Sequence, residues 1–153
     1  MELPNNFVIR VYGLIVNGNN EILLSDEFQM GMKMTKFLGG GLQFGEGPIE
    51  TLRREFKEEC NGQELKNIIH FYTTDFYQKA LFFESHQLLS IYYLADLAAP
   101  IKFTISKKAF DFEQMKNGNQ SFRWVKISLL SEDDLTFPID KIVAKQLISD
   151  FSI

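Results

Sequence analysis

The chain has a single cysteine, Cys60, in 153 residues. That excludes an internal disulfide and fits a reducing compartment. Lys and Arg never gather into a run, and the formal net charge is −4. This balance argues against a partner as large as a long nucleic acid, whose binding needs a basic footprint. Small phosphorylated molecules stay open, because a bound divalent metal reverses the local sign of the field. The longest apolar tract, Leu88 to Ile101, is interrupted by Asp96 and Pro100 and falls short of a membrane span. The first residues, Met1-Glu2-Leu3-Pro4-Asn5-Asn6, show neither the basic region nor the apolar core of a secretory signal. These absences predict a soluble cytoplasmic protein with no membrane partner.

Apolar mass, by contrast, is plentiful: 45% of the chain is hydrophobic and 15 residues are Phe. One substantial core can be buried, so residues 1–153 are expected to form a single domain. Phe7 to Val16 reads as a strand, and Asn17-Gly18-Asn19-Asn20 turns it into Glu21 to Leu24 as a hairpin. Lys36-Phe37-Leu38 reads as a short strand ending at the glycines Gly39-Gly40-Gly41. Further strands are expected at Ile68 to Phe76, Gln87 to Leu97, Ile101 to Ile105 and Phe122 to Ile127, with a long loop over 107–120.

Two helices start at proline. Pro48 opens one that runs to about Cys60, with Ile49, Leu52, Phe56 and Cys60 on one stripe. Pro138 opens the other, with Ile139, Ile142, Val143, Leu147 and Phe151 at helical spacing. Ser131 caps a short helical turn before it. Strands flanked by two amphipathic helices imply a layered α/β/α domain with a mixed sheet.

The first helix carries its acids awkwardly. Glu55, Glu58 and Glu59 stand at i, i+3 and i+4, so they share one face and converge. Each like-charged pair costs roughly 0.2–0.5 kcal/mol in an isolated helix. The C-terminal macrodipole disfavours negative charge there by about 0.3–1 kcal/mol each. Something outside the helix should offset this, and oxygen-only ligands of this kind suit Mg²⁺. At about 100° per residue the acids lie a quarter turn or more from the apolar stripe, so the helix can bury one side and offer the other to a cleft.

The segment from Gly40 to Gly62 resembles the Nudix box, G-x5-E-x7-R-E-U-x-E-E-x-G-U, where U is a bulky aliphatic residue. Gly40, Glu46, Arg54, Glu55, Phe56, Glu58 and Glu59 fall in register. Six charged or glycine positions at fixed spacing make the match specific. The tail departs from the pattern: Asn61 then Gly62 replace Gly and an aliphatic residue, Phe56 replaces Leu, Ile or Val, and Leu38 stands where many members have Pro. Asn tolerates a left-handed cap best after Gly, so Asn61 is expected to end the helix in the same way.

The resemblance implies an α/β/α Nudix fold and hydrolysis of a nucleoside diphosphate linked to another group, with Mg²⁺ or Mn²⁺ required. It implies that Glu55, Glu58 and Glu59, with the Gly40 carbonyl, hold the metal, and that one glutamate activates water. It gives Arg54 and Glu46 the task of holding the loop against the helix, and places Gly41 with Gly40 at the cofactor-binding edge. Glu113 is a candidate for a further acid from a late loop. The substrate would be a small phosphorylated nucleotide derivative, and homodimers are frequent in the family. A ligand-binding sensor without turnover is the alternative, and a scaffold with an acidic surface helix a third.

Other residues read more simply. Gly39-Gly40-Gly41 taken alone is an ordinary strand-to-loop turn needing positive φ. His70 and His86 lack partner spacing and read as structural histidines. Trp124 and the Phe-rich run Phe71 to Phe83 read as core, and Lys33 and Lys36 as solubilising lysines within reach of a phosphate. Specificity is expected from residues 26–35 and 77–86.

Overall fold

The computed structural model describes residues 2–152. Seven strands and two helices follow in the order β1 (Asn6–Ile15), β2 (Glu21–Gln29), β3 (Met32–Lys36), β4 (Leu38–Gly41), α1 (Pro48–Glu59), β5 (Leu65–Thr73), β6 (His86–Leu97), β7 (Asn119–Lys126) and α2 (Pro138–Phe151). The strands form two sheets. One is mixed and four-stranded, in the order β4-β1-β6-β5, with β1 and β6 parallel. The other is antiparallel and three-stranded, in the order β3-β2-β7.

The expected β1–β2 hairpin does not form. The turn itself is present, with Asn17 Oδ1 accepting from the backbone N–H groups of Asn19 and Glu21, and Asn20 left-handed at φ 60°. Beyond the one bridge Val16–Ile22, however, β2 leaves β1 to pair with β3 and β7. The chain crosses back at Phe37, fully buried between β3 and β4, so the expected strand over 36–38 is the break between two strands. Ile101 to Ile105 is irregular, not a strand.

The helices cover opposite faces, giving the expected α/β/α layering. Leu52, Phe56 and Cys60 of α1 pack with Val11, Ile15, Leu23 and Leu38. Ile139, Val143, Ala144 and Leu147 of α2 pack with Tyr12, Leu14, Ile22, Leu24 and Tyr92. Ile49 and Ile142, at the margins of the two apolar stripes, are each 41% exposed. Gly13 lets α1 lie close to β1, since a Cβ there would meet the Phe56 ring at 2.8 Å.

Both ends of α1 follow their sequence signals. Glu50 accepts from the Gly47 N–H at 2.9 Å ahead of Pro48. Asn61 and Gly62 are left-handed at φ 53° and 83°, and the Gly62 N–H returns to the Lys57 carbonyl. Asn61 thus ends the helix as expected, and its Nδ2 also donates to the Lys102 carbonyl.

Candidate active site

Arg54 sits at the junction of loop and helix. Its Nε donates to Glu46 Oε2 at 3.0 Å and its Nη2 to Glu46 Oε1 at 2.8 Å. Nη2 also donates to the Gly41 carbonyl at 2.9 Å, and Nη1 to Glu55 at 2.8 Å and Glu58 at 3.2 Å. Glu46 is fixed further by the Gln43 N–H and the Thr51 hydroxyl. The Arg54 hydrogen bonds hold the Glu46 carboxyl down at about 2, and Glu46 in turn raises the Arg54 guanidinium above its ordinary value. Part of the repulsion among the helix acids is therefore offset within the chain.

The glycines act through space, not through φ. None of Gly39, Gly40 and Gly41 has positive φ; they form β4 and pair with Tyr12, Val11 and Arg10. A Cβ on Gly40 would run into the Glu55 carboxylate, whereas one on Gly41 would meet nothing within 4 Å.

Glu59 takes no part in the Arg54 fork. Burial pushes its carboxyl up to about 7, reinforced by Glu27 and Glu55 and opposed by Lys36 and Arg10. Among the described residues no three of His, Cys, Asp and Glu stand ready to hold a metal. Arg54 draws Glu55 and Glu58 to itself, while Glu59 makes no ion pair among the described residues and lies in the field of Lys36, Glu27 and Glu55. The donor set nonetheless fits a hard divalent cation, being carboxylate and carbonyl oxygen throughout. Gly40 keeps clear the space beside Glu55, and Glu58, with a side chain 58% exposed, has room to turn.

A cavity of about 310 Å³ lies between β1, β6, β2, β3 and the start of α2, lined by Glu27 and by none of the box glutamates. Tyr12 and Tyr92 stack on one wall with ring centroids 5.0 Å apart. Tyr92 donates to Asp140 at 2.5 Å, and the Phe37 N–H reaches the other Asp140 oxygen. Burial raises the Asp140 carboxyl to about 6, against the pull of the Tyr92 hydrogen bond. Both suspected specificity segments line the cavity: residues 26–35 through Glu27, Gln29 and Met34, residues 77–86 through Lys79, Phe82 and Phe83.

Several simple expectations change. Lys36 is no solubilising lysine: it is 9% exposed and pairs with Glu27 at 3.4 Å. Lys33 is exposed, over the Phe110 ring. Phe82 and Phe83 are cavity wall, 38% and 49% exposed, while Phe71 and Trp124 pack against the core. His70 meets the Thr73 hydroxyl and His86 the Glu84 carbonyl, as structural histidines do. Glu113 lines a separate shallow depression with Phe112, Gln114, Lys116 and Asn119.

Sequence reasoning missed Arg10, Tyr12, Glu27 and Asp140. One signal was present: Ser25-Asp26-Glu27 puts residues disfavoured in strands into an otherwise apolar run. Asp26, fully buried, is held by Arg123 at 2.6 Å and by the Thr35 hydroxyl at 2.7 Å.

A NUDIX domain model matches residues 6–146. The chain belongs to that family and is a Nudix-type pyrophosphohydrolase, a class that generally uses divalent metal ions and small nucleotide-derived substrates. Solved structures agree on the fold. A MutT from work on the Aliivibrio salmonicida and Vibrio cholerae proteins matches at TM-score 0.63 and 24% identity, over 95% of this chain and 100% of its own. A NUDIX hydrolase from Nitrosomonas europaea matches at 0.64 and 17%, over 94% and 87%. The E. coli ORF135 protein matches at 0.62 and 14%, over 96% and 92%. No curated protein matches. No helix among the described residues is long and apolar enough to cross a membrane.

Proposed function

We propose that the protein hydrolyses the diphosphate linkage of a nucleoside diphosphate derivative, of the nucleotide sugar, ADP-ribose, NADH or nucleoside triphosphate type, in the cytoplasm and with Mg²⁺ or Mn²⁺. The observation that carries this reading is the Arg54 fork, which gathers Glu46, the Gly41 carbonyl, Glu55 and Glu58 at one place. A structure built only for stability has no use for three acids at the end of a helix.

Glu55, Glu58, Glu59 and the Gly40 carbonyl would hold the cation, which supplies charge neutralisation of the diphosphate and acidifies the attacking water. The chain's own contribution is position. Arg54 and Glu46 lock the 42–47 loop to α1, so that the β4 edge and the acids keep one spacing. One box glutamate takes the proton from the attacking water as it closes on phosphorus. The cavity walled by Tyr12 and Tyr92 receives the part of the substrate beyond the diphosphate.

A panel of NADH, ADP-ribose, nucleotide sugars, dinucleoside polyphosphates and nucleoside triphosphates, with Mg²⁺ and Mn²⁺ at alkaline pH, tests the reading. Turnover of at least one member is expected. Silence across the panel with both metals overturns it.

A further inference from the structure

Lys36 and Arg10 line the cavity, and both have donors to spare. Lys36 is nine-tenths buried, yet its ammonium meets a single carboxylate oxygen, Glu27 Oε2, at 3.4 Å. That oxygen already accepts from the Ser25 hydroxyl at 2.9 Å and from Gln120 Nε2 at 3.2 Å. Among the described residues no buried side-chain nitrogen or oxygen lacks a partner, so the other donors of this ammonium open into the cavity, where an anion can meet them. Arg10 is similar. Its Nε donates to the Tyr12 hydroxyl at 2.8 Å and its guanidinium lies over that ring, while Nη1 and Nη2 make no hydrogen bond among the described residues.

Both side chains line the cavity. Arg10 also borders the box, since it pairs with Gly41 across β1 and β4 and the Gly41 carbonyl accepts from Arg54. Apolar and aromatic surface dominates the far side of the cavity, from Tyr12, Tyr92 and Phe82. The arrangement has a direction: acids, then two unspent cations, then an aromatic-walled space.

We infer that Arg10 and Lys36 form an anion subsite for the phosphate that stays with the cavity-bound half of the substrate, and that this half is a nucleoside 5′-phosphate. The inference rests on the diphosphatase reading for its direction, but not for its binding chemistry. Glu27 is the positioning residue that keeps Lys36 extended toward the site when no anion is bound. The guanidinium and the ammonium then distinguish a phosphorylated nucleoside from the bare one without help from the metal face.

The experiment is calorimetric titration in EDTA of the wild type, Lys36→Met, Arg10→Met and Lys36→Arg with adenosine and guanosine 5′-monophosphates, the matching nucleosides and inorganic phosphate. Wild-type protein should bind at least one monophosphate about tenfold or more tightly than its nucleoside, and more tightly than inorganic phosphate. Loss of one charged donor should weaken that binding by about tenfold or more in each Met variant, while Lys36→Arg retains most of it. Thermal unfolding of each variant separates lost binding from lost fold, and the Arg variant keeps the test open if Lys36→Met unfolds. Equal affinity for nucleotide and nucleoside, or unchanged nucleotide affinity in folded Met variants, overturns the subsite. Turnover by the wild type with an unchanged KM in both Met variants sinks the subsite alone. Metal-free nucleotide binding with no turnover on any substrate sinks only the hydrolase reading.

Discussion

Arg54 grips Glu46 through two donors, Nε at 3.0 Å and Nη2 at 2.8 Å, although the two residues are eight apart in sequence. The remaining donor edge of the same guanidinium reaches Glu55 and Glu58. One side chain therefore fixes how far the loop stands from the acids. Lysine cannot reproduce this, because its charge is a point and not a planar fork. Arg54→Lys should lower kcat/KM roughly 10- to 100-fold with the helix intact by circular dichroism. Adding Glu46→Gln to Arg54→Lys should cost little more, since the two act as one device. Wild-type kinetics in Arg54→Lys would remove the positioning role.

Gly40 and Gly41 are neighbours in β4 with opposite tolerance. A Cβ on Gly40 collides with the Glu55 carboxylate; one on Gly41 enters open space. Gly40→Ala should therefore displace Glu55, destabilise the fold by about 1–3 kcal/mol as overpacking does, and abolish most activity. Gly41→Ala should leave the urea midpoint unchanged. Equal midpoints for the two variants would contradict the packing argument.

The same glycines show what was legible in the sequence. Register alone placed Gly40, Glu46, Arg54 and the glutamates together, and α1 begins and ends where Pro48 and Asn61 signal, because helix caps are local chemistry. The reason for the glycines was not legible: their φ is ordinary, and the need comes from a helix packed across the strand. The β1–β2 hairpin failed for a related reason. Turn residues Asn17 to Asn20 specify a reversal, but whether β2 stays beside β1 depends on β3 and β7, which are distant in sequence. Lys36 read as a surface lysine and Asp140 drew no reading, because burial of a lone charge leaves no periodic trace. Their partners, Glu27 and Tyr92, are supplied by other strands.

Asp140 makes stability depend on pH in a definite direction. Its folded value is about 6 against an ordinary 3.8, so the folded state holds the proton more tightly. The stabilisation is fully present below pH 3.8 and is lost as pH rises through about 6. Glu46 works oppositely: its contribution is present above pH 4.5 and is lost as pH falls toward about 2. Between about pH 4.5 and 6.5 the Asp140 effect therefore stands apart from that of Glu46. Urea unfolding of wild type relative to Asp140→Asn should show a loss on the order of 2 kcal/mol across that window. Parallel curves for the two proteins would show that Asp140 titrates normally.

The three box glutamates are not equivalent without metal, and this gives the sharpest test of the cation site. Glu55 and Glu58 are each paired with Arg54, whereas Glu59 is partly desolvated beside Glu27 and Glu55, with Lys36 and Arg10 as its compensating charges. In EDTA, Glu59→Gln should therefore raise the melting temperature, while Glu55→Gln should lower it by breaking the Arg54 contact. With Mn²⁺ the wild type should become the most stable of the three. A cation at about 100 times its dissociation constant adds about 2.7 kcal/mol to a protein that binds it only when folded. For a chain of this size that corresponds to a rise of roughly 5 °C or more in the wild type. Each Gln variant should lose most of that rise, because each removes one oxygen ligand with its charge. A full Mn²⁺ shift in Glu59→Gln would place the cation on Glu55 and Glu58 alone, and would leave Glu59 to the proton rather than to the metal.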